Sequence, residues 1–316
     1  MLAFLFWAGC AAHRTGETHD DKEKAHPLAG RLWDSRRQAF ASEEDLRAQL
    51  LGADFVLLGE VHDNPVHHAR QREWLELIAA SGKKPLIALE QFDTEQQRAI
   101  DAVWGSADRS LDTLFEATQF TRHGWDRNFY APLLAIARRN GWPLAAANLS
   151  RTRARMVASG GFAALDSDEA ERLGLERLWD NGKEAALARE IAEAHCGALS
   201  NSMLQGLARA QRARDAVMAD TLARAGLAGA VLIAGDGHAR RDYGVPLYLQ
   251  AYRPAARIVS IGQLEVEAGK PAPQDYAVTG GAAKPLYDYV LFTPRAQRAD
   301  PCADFPRAEG LPGAKP

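Results

Sequence analysis

The sequence predicts an α/β protein, a mainly parallel sheet flanked by helices with a helical insertion subdomain, and three observations carry that prediction. Short apolar runs of strand length alternate with longer segments of helical composition, a pattern that implies parallel strands joined by crossovers. No proline occurs between Pro143 and Pro246, and this stretch is rich in Ala, Arg, Leu and Glu, which favour helix. Four of the apolar runs lead straight into glycines and polar residues, and ligands of open α/β sheets bind just outside the carboxyl ends of the strands.

The chain opens on an apolar run, Met1 to Trp7, that ends in Ala8-Gly9-Cys10 and gives way at once to a polar stretch. The run is far too short to cross a bilayer as a helix. Small residues directly before a cysteine resemble the lipobox of bacterial lipoproteins, so residues 1–10 are expected to be a lipoprotein signal segment with Cys10 lipidated. Trp7 stands where that motif usually has Leu, and no Lys or Arg precedes the run. Residues 11–34 are then expected to be a flexible tether, 35–300 the folded body, and 301–316 a loose tail. Cys196 and Cys302 would lie in an oxidising compartment and could pair, but spacing does not show whether their Cα atoms approach closely enough.

Within the body, Ser42 before Glu43, Glu44 and Asp45 marks a first helix start. Phe55-Val56-Leu57-Leu58 reads as a strand, and Asn64-Pro65 as the N-cap and first position of the helix after it. On that helix His68, Gln71, Leu75 and Ile78 form one inward stripe, which leaves His67 as the solvated neighbour. Pro85 to Leu89 is a second strand, followed by a helix start at Thr94 with Gln97 three residues on; Pro143 to Ala147 is a weaker third. Residues 150–226 form the helical insertion, with a start at Asp166 and Glu169, and Ala230 to Ala234 closes it as a fourth strand. Arg257 to Ile261 and Tyr287 to Phe292 are later strand candidates.

Composition narrows the function. Hydrophobic residues make up 47% and charged residues 25%, which excludes a wholly disordered, collagen-like or multi-span membrane chain. With 38 basic against 41 acidic residues and no basic block, nucleic acid is not an expected partner. Phosphate loop, nucleophile elbow, His-Glu-x-x-His and covalent-haem Cys-x-x-Cys-His signatures are all missing.

The polar residues at the strand ends are Glu60, His62 and Asp63, then Glu90 and Gln91, then Asn148, then Asp236 and His238. His68 points toward the same edge. Two imidazoles with a carboxylate suit a divalent transition metal with open positions, as in a metal-dependent hydrolase or peptidase. The same groups without metal serve as general acid and base, and spacing does not separate the two. In the insertion, Met203, Leu207, Gln211, Arg214, Met218 and Leu222 share a helix face, with Asp215 beside Arg214. That face is either core with a buried ion pair or a cap over the strand-end pocket, with Met203 and Met218 as soft apolar surface. His195-Cys196-Gly197 is either a helix C-terminus or a source of a pocket ligand. The aromatic cluster from Trp125 to Tyr130 is either core or a wall for a planar cofactor.

The strings Leu58-Gly59-Glu60-Val61-His62-Asp63-Asn64-Pro65, Ala88-Leu89-Glu90-Gln91-Phe92, Ala146-Ala147-Asn148-Leu149-Ser150-Arg151 and Gly235-Asp236-Gly237-His238-Ala239-Arg240 together resemble the ChaN family of haem-binding lipoproteins. The resemblance spans residues 35 to 262 and extends to a superfamily with Tiki, TraB and erythromycin-esterase-like proteins. It implies lipid attachment at Cys10, non-covalent haem binding connected with iron acquisition, and a location at the periplasmic face of the outer membrane. A haem-uptake receptor and a homodimer sharing the flat cofactor are the implied partners. Glu60, His62, Glu90 and His238 match the superfamily residues, which keeps a metal-dependent hydrolase as the alternative. Tyrosine ligation of iron, associated with the family, points first to Tyr130, then to Tyr243 and His195. Arg151, Arg240 and Arg241 are candidate propionate partners, and Asn148, Gln211 and Arg214 candidate pocket residues.

Overall fold

The computed structural model describes residues 26–106, 110–276, 285–299 and 302–303. Apart from short 3₁₀ turns, the order is β1 (Leu32–Asp34), β2 (Ala39–Phe40), α1 (Glu43–Gly52), β3 (Phe55–Glu60), α2 (Pro65–Ala80), β4 (Leu86–Asp93), α3 (Gln97–Trp104), α4 (Leu111–Ala117), α5 (Arg127–Arg139) and β5 (Leu144–Asn148). The insertion follows as α6 (Arg151–Gly160), α7 (Ser167–Leu173), α8 (Asn181–Ala194) and α9 (Asn201–Ala223). The chain then returns through β6 (Ala230–Gly235), α10 (Asp236–Ala239), α11 (Val245–Tyr252), β7 (Ile258–Glu265) and β8 (Tyr289–Thr293).

The eight strands form one sheet in the order β2-β1-β8-β7-β3-β6-β4-β5. All neighbours from β8 to β5 are parallel, and β1 and β2 add an antiparallel edge. Because side chains alternate along a strand, the apolar runs feed two cores. Phe55, Leu57, Ala88 and Leu232 face the insertion helices α6 and α9 together with α11. Val56, Leu58, Ile87, Leu89 and Ile233 face α1, α2 and α5. Leu57, Leu89 and Leu232 are wholly buried, each contributing about 1.5–3 kcal/mol relative to exposure.

The capping signals place two helices as expected. Ser42 Oγ accepts from Asp45 N–H at 3.1 Å while Asp45 Oδ2 accepts from Ser42 N–H at 3.1 Å. Asn64 Oδ1 accepts from Val66 N–H at 2.9 Å, with Pro65 at the first helical position. At Thr94 the chain instead makes a 3₁₀ turn, with Gln96 Oε1 accepting from Asp93 N–H, and α3 begins three residues later.

Two boundaries shift. The tether expected up to residue 34 ends earlier, because Leu28, Leu32 and Trp33 are buried and β1 pairs with β8. Cys302, expected in a loose tail from residue 301, is bonded instead to Cys196 across a Cα–Cα distance of 5.6 Å, and residues 304–316 lie outside the described residues. The signal segment and Cys10 lie outside the described residues. No described helix is long and apolar enough to cross a membrane.

Candidate functional site

The register pairs Glu60 with Gly235 and Leu89 with Ile233, so the polar ends of β3, β4 and β6 meet at the carboxyl edge of the sheet. Glycine is required where the backbones crowd: a Cβ on Gly59 would stand 2.2 Å from Asp236 Oδ1 and 2.9 Å from Ile261 O. Strand alternation then sends the two glutamates to opposite faces. Glu60, in phase with Val56 and Leu58, points among α2 and α5; Glu90, in phase with Ala88, points toward α9.

Each glutamate organises a histidine. Glu60 Oε1 accepts from Tyr130 OH at 2.6 Å and Gln91 Nε2 at 3.2 Å and lies 2.9 Å from His62 Nδ1. Its Oε2 accepts from Gln71 Nε2 at 2.8 Å and lies 3.5 Å from His68 Nδ1. Burial alone would raise the Glu60 pKa, but the His62 hydrogen bond, the His68 and His62 charges and the Tyr130 hydroxyl outweigh it and hold the carboxyl below its usual range. Burial pushes the Tyr130 phenol up, and the Glu60 charge pushes it further, so it stays a donor. On the other face Glu90 Oε2 accepts from Gly235 N–H at 2.8 Å, and Oε1 lies 3.4 Å from His238 Nε2. His238 Nδ1 donates to the buried Asp215 at 2.5 Å.

These contacts set the charge states. Burial would lower His62 and His238, yet Glu90 with Glu60 pushes His62 up to about 9, and Glu90 with Asp215 pushes His238 up to about 10. Asp215 is raised by burial to about 6 and Asp236 likewise to about 8. The carboxylate partners of both histidines thus favour their protonated forms. Among the described residues no three His, Cys, Asp or Glu side chains are grouped to hold a metal ion. Glu60, His62, His68, Glu90 and His238, the residues expected as a metal or catalytic site, stand as two carboxylate–imidazole units, Glu60 with His62 and His68, and Glu90 with His238. His62 is the member that meets solvent, its side chain 41% exposed beside the edge of Trp125.

Two sequence expectations, for His67 and for the Arg214–Asp215 pair, need revision. His67 is wholly buried: Nδ1 accepts from Val61 N–H at 2.8 Å, Nε2 donates to Thr293 Oγ1 at 2.7 Å, and burial lowers its pKa to about 4. His68 does face the strand ends, but it is buried against Phe129 and donates from Nε2 to His62 O at 3.0 Å, so it orients His62. Arg214 and Asp215 do not pair; Arg214 Nη1 donates to Asn148 Oδ1 at 2.7 Å, and Asp215 goes to His238.

Beside this cluster, α6, α8 and α9 enclose a groove of about 380 Å³. Ala154, Ile191 and Leu207 give it an apolar lining, and Arg151, Arg155, Arg214, Gln211 and His195 add polar groups. Gln211 links the two regions, its Nε2 lying 3.1 Å from His238 Nδ1. His195 is exposed, and its Nδ1 donates to Ile191 O at 2.7 Å. That bond fixes the tautomer whose Nε2 lone pair is open to a ligand. Met203 is exposed near the start of α9, whereas Met218 is fully buried and offers no pocket surface.

No tyrosine is among the residues that line this groove. All seven tyrosines fall within the described residues and none is exposed. Tyr130 is committed to Glu60, and Tyr243 is wholly buried and donates to Glu190. Arg240 is held by Glu190 and Asp242 over the Tyr243 ring, and Arg241 by Asp288 at 2.6 Å, so neither lines the groove. The groove's own donor set fits haem: an apolar slot for the porphyrin, an imidazole with a free nitrogen for iron, and guanidinium groups for the two propionates.

A mostly parallel α/β sheet with a polar carboxyl edge, covered by a helical insertion that carries an apolar groove, defines a small-molecule-binding α/β protein. Residues 46–249 match the family described as haem-binding uptake, Tiki superfamily, ChaN, and the chain belongs to that family. The structure of ChaN of Campylobacter jejuni, described with cofacial haem binding, is similar in fold at a TM-score of 0.64 and 23% identity, covering 82% of this chain and 95% of that one. More distant similarity links the chain to an erythromycin esterase mutant in its open conformation (TM-score 0.40, 14% identity, 85% of this chain and 84% of that one). The RRSP effector domain of a Vibrio vulnificus toxin is similar at the same level (TM-score 0.40, 17% identity, 67% of this chain and 35% of that one). Neither of these two likenesses bears on function. No curated protein matches the sequence.

Proposed function

We propose that this protein takes up haem in the groove between α6, α8 and α9 and serves haem and iron handling in the cell envelope. The observation that carries the reading is the groove itself, where an apolar slot, His195 Nε2 and the Arg151, Arg155 and Arg214 guanidinium groups converge. When bound, haem would supply an iron centre for which His195 would be the protein ligand. The chain binds and orients it: Ala154, Ile191 and Leu207 exclude water from the porphyrin face, His195 presents its free nitrogen, and the arginines fix the carboxylates. At about 380 Å³ the groove lies toward the small end of the ~300–1,000 Å³ typical of ligand pockets, so a porphyrin would be only partly enclosed. A second copy of the chain covering the exposed face is the partner this favours.

The envelope location is supported by the Cys196–Cys302 disulfide, which persists in oxidising compartments and is rare in the cytosol. Lipid attachment at Cys10, a seat at the periplasmic face of the outer membrane and exchange with a haem-uptake receptor complete the proposal. It is tested by titrating the purified full chain with hemin. The native protein is expected to give a saturable Soret band with a fixed stoichiometry, and His195→Ala to shift the band and weaken binding at least ~10-fold, the loss of one ligand-strength contact. An identical Soret band and affinity in His195→Ala would refute the groove assignment.

A further inference from the structure

The turn that carries the proposed iron ligand is weakly held by its own helices and strongly held by a bond from far away. His195 follows the end of α8, is exposed, and its side-chain hydrogen bond goes to Ile191 in the same helix. Cys196, the next residue, takes a left-handed backbone at φ +58°, uncommon for a residue with a side chain. It is bonded to Cys302, 106 residues later.

The segment leading to Cys302 is itself pinned to the carboxyl edge of the sheet. Asn64 Nδ2 donates to Pro294 O at 3.0 Å, and Ala296 N–H to Glu265 Oε1 at 2.9 Å. Arg298 then bridges two carboxylates, donating to both oxygens of Asp63 at 2.8 and 2.7 Å and to both of Glu265 at 2.7 and 2.6 Å. Asp63 adjoins His62. Three residues separate Arg298 from Cys302, four Cα–Cα steps that span at most ~14 Å fully extended. One stretch of chain therefore ties the loop bearing His62 to the turn bearing His195. The insertion also meets the sheet edge through Asp215 with His238, Arg214 with Asn148, and Glu190 with Arg240 and Tyr243, but none of these contacts involves the turn from His195 to Ser200.

We infer that the Cys196–Cys302 disulfide is the positioning element for His195, clamping the turn at the groove onto the carboxyl edge of the sheet, so that tight haem loading belongs to the disulfide-bonded chain. The inference rests on the groove assignment proposed above. Without the bond, the α8–α9 turn keeps its helices but moves on the timescale of loops, and His195 must be ordered at the moment of binding, which weakens affinity.

The test is a hemin titration of the full chain in four forms: native, Cys196→Ser with Cys302→Ser, His195→Ala, and all three substitutions together. The disulfide-free chain is expected to bind hemin at least ~10-fold more weakly, with its Soret band moved to the position seen in His195→Ala, and the further loss of His195 is expected to change nothing more. Hydrogen exchange is expected to rise at residues 191–205 while β3 and β6 stay protected, which distinguishes loss of positioning from unfolding. Should the serine pair fail to fold, the native chain reduced in its folded state is read by the same exchange and Soret measurements. Native affinity and spectrum in the disulfide-free or reduced chain would overturn the inference and leave the groove assignment standing. Weaker binding without increased exchange at 191–205 would also overturn it. An unchanged Soret band in disulfide-bonded His195→Ala would instead remove the groove assignment.

Discussion

Replacing Glu90 by Gln removes one charge from the buried pair with His238 while keeping the shape of the side chain. Both partners are at least nine-tenths buried, so their attraction is little screened. Raising His238 from 6.5 to about 10 corresponds to a ceiling of ~5 kcal/mol at about 1.36 kcal/mol per pH unit. Glu90 shares that effect with Asp215, which leaves ~3 kcal/mol for the glutamate, in line with the 3–5 kcal/mol typical of a broken buried pair. His62, its side chain 41% exposed and 3.9 Å from Glu90 Oε2, adds a smaller, partly screened share. The sign follows from linkage. A histidine whose folded pKa is raised contributes stability that is complete below 6.5 and lost as pH rises through 10. Glu90, whose folded pKa is depressed, contributes above about 4.5 and loses that only as pH falls through its much lower folded value. The penalty of Glu90→Gln is therefore largest between pH 5 and 6.5 and shrinks toward pH 10. Urea unfolding should show a midpoint lower by ~1 M at pH 6 for a slope of ~3 kcal/mol/M, with the difference falling away at pH 10. A penalty under ~1 kcal/mol at pH 6, or one constant from pH 6 to 10, would refute the pairing of Glu90 with a protonated His238.

Two further substitutions probe neighbouring claims. Gly59→Ala places a methyl against Asp236 and the Ile261 carbonyl, and is expected to cost ~1–3 kcal/mol or more in chemical denaturation; a midpoint equal to the native one would show that the strand ends are looser than described. Tyr130→Phe removes a donor from Glu60 and should cost ~1–2 kcal/mol, yet leave the hemin Soret band in place. A Soret shift in Tyr130→Phe would restore that tyrosine as the iron ligand.

The meeting of Glu60, His62, Glu90 and His238 could be read from sequence because each closes a short apolar run, and parallel strands bring such ends to one edge. Their partners could not. Arg214 and Asp215 are neighbours in sequence, but adjacent residues on a helix point about 100° apart, so one meets Asn148 and the other His238. His67 was expected in solvent because helical spacing places it beside the inward stripe; it is covered by Thr293, 226 residues later, a contact no local pattern reveals. The Tyr130 hydroxyl likewise finds its acceptor 70 residues earlier. β1 escaped notice because three residues are too few for alternation to register. The commitment of the Tyr130 hydroxyl to Glu60 and of Tyr243 to Glu190 is a tertiary property, and it leaves His195 as the groove's exposed candidate ligand.

The groove and the strand-end cluster share α9, and this explains why an elaborate set of ion pairs stands beside a simple apolar slot. Arg214 and Gln211 line the groove, while Asp215 and Met218 turn toward the sheet. The Asp215–His238 and Arg214–Asn148 contacts fix the rotation of α9 about its axis against β5 and β6. Turning the helix by one residue would carry the Asp215 carboxylate toward the groove and take the Arg214 guanidinium away, replacing attraction for a propionate with repulsion. The charge pattern of the slot thus depends on buried contacts that never touch its contents. Removing the His238 side of that lock, with every groove residue intact, should therefore weaken hemin binding as well as stability.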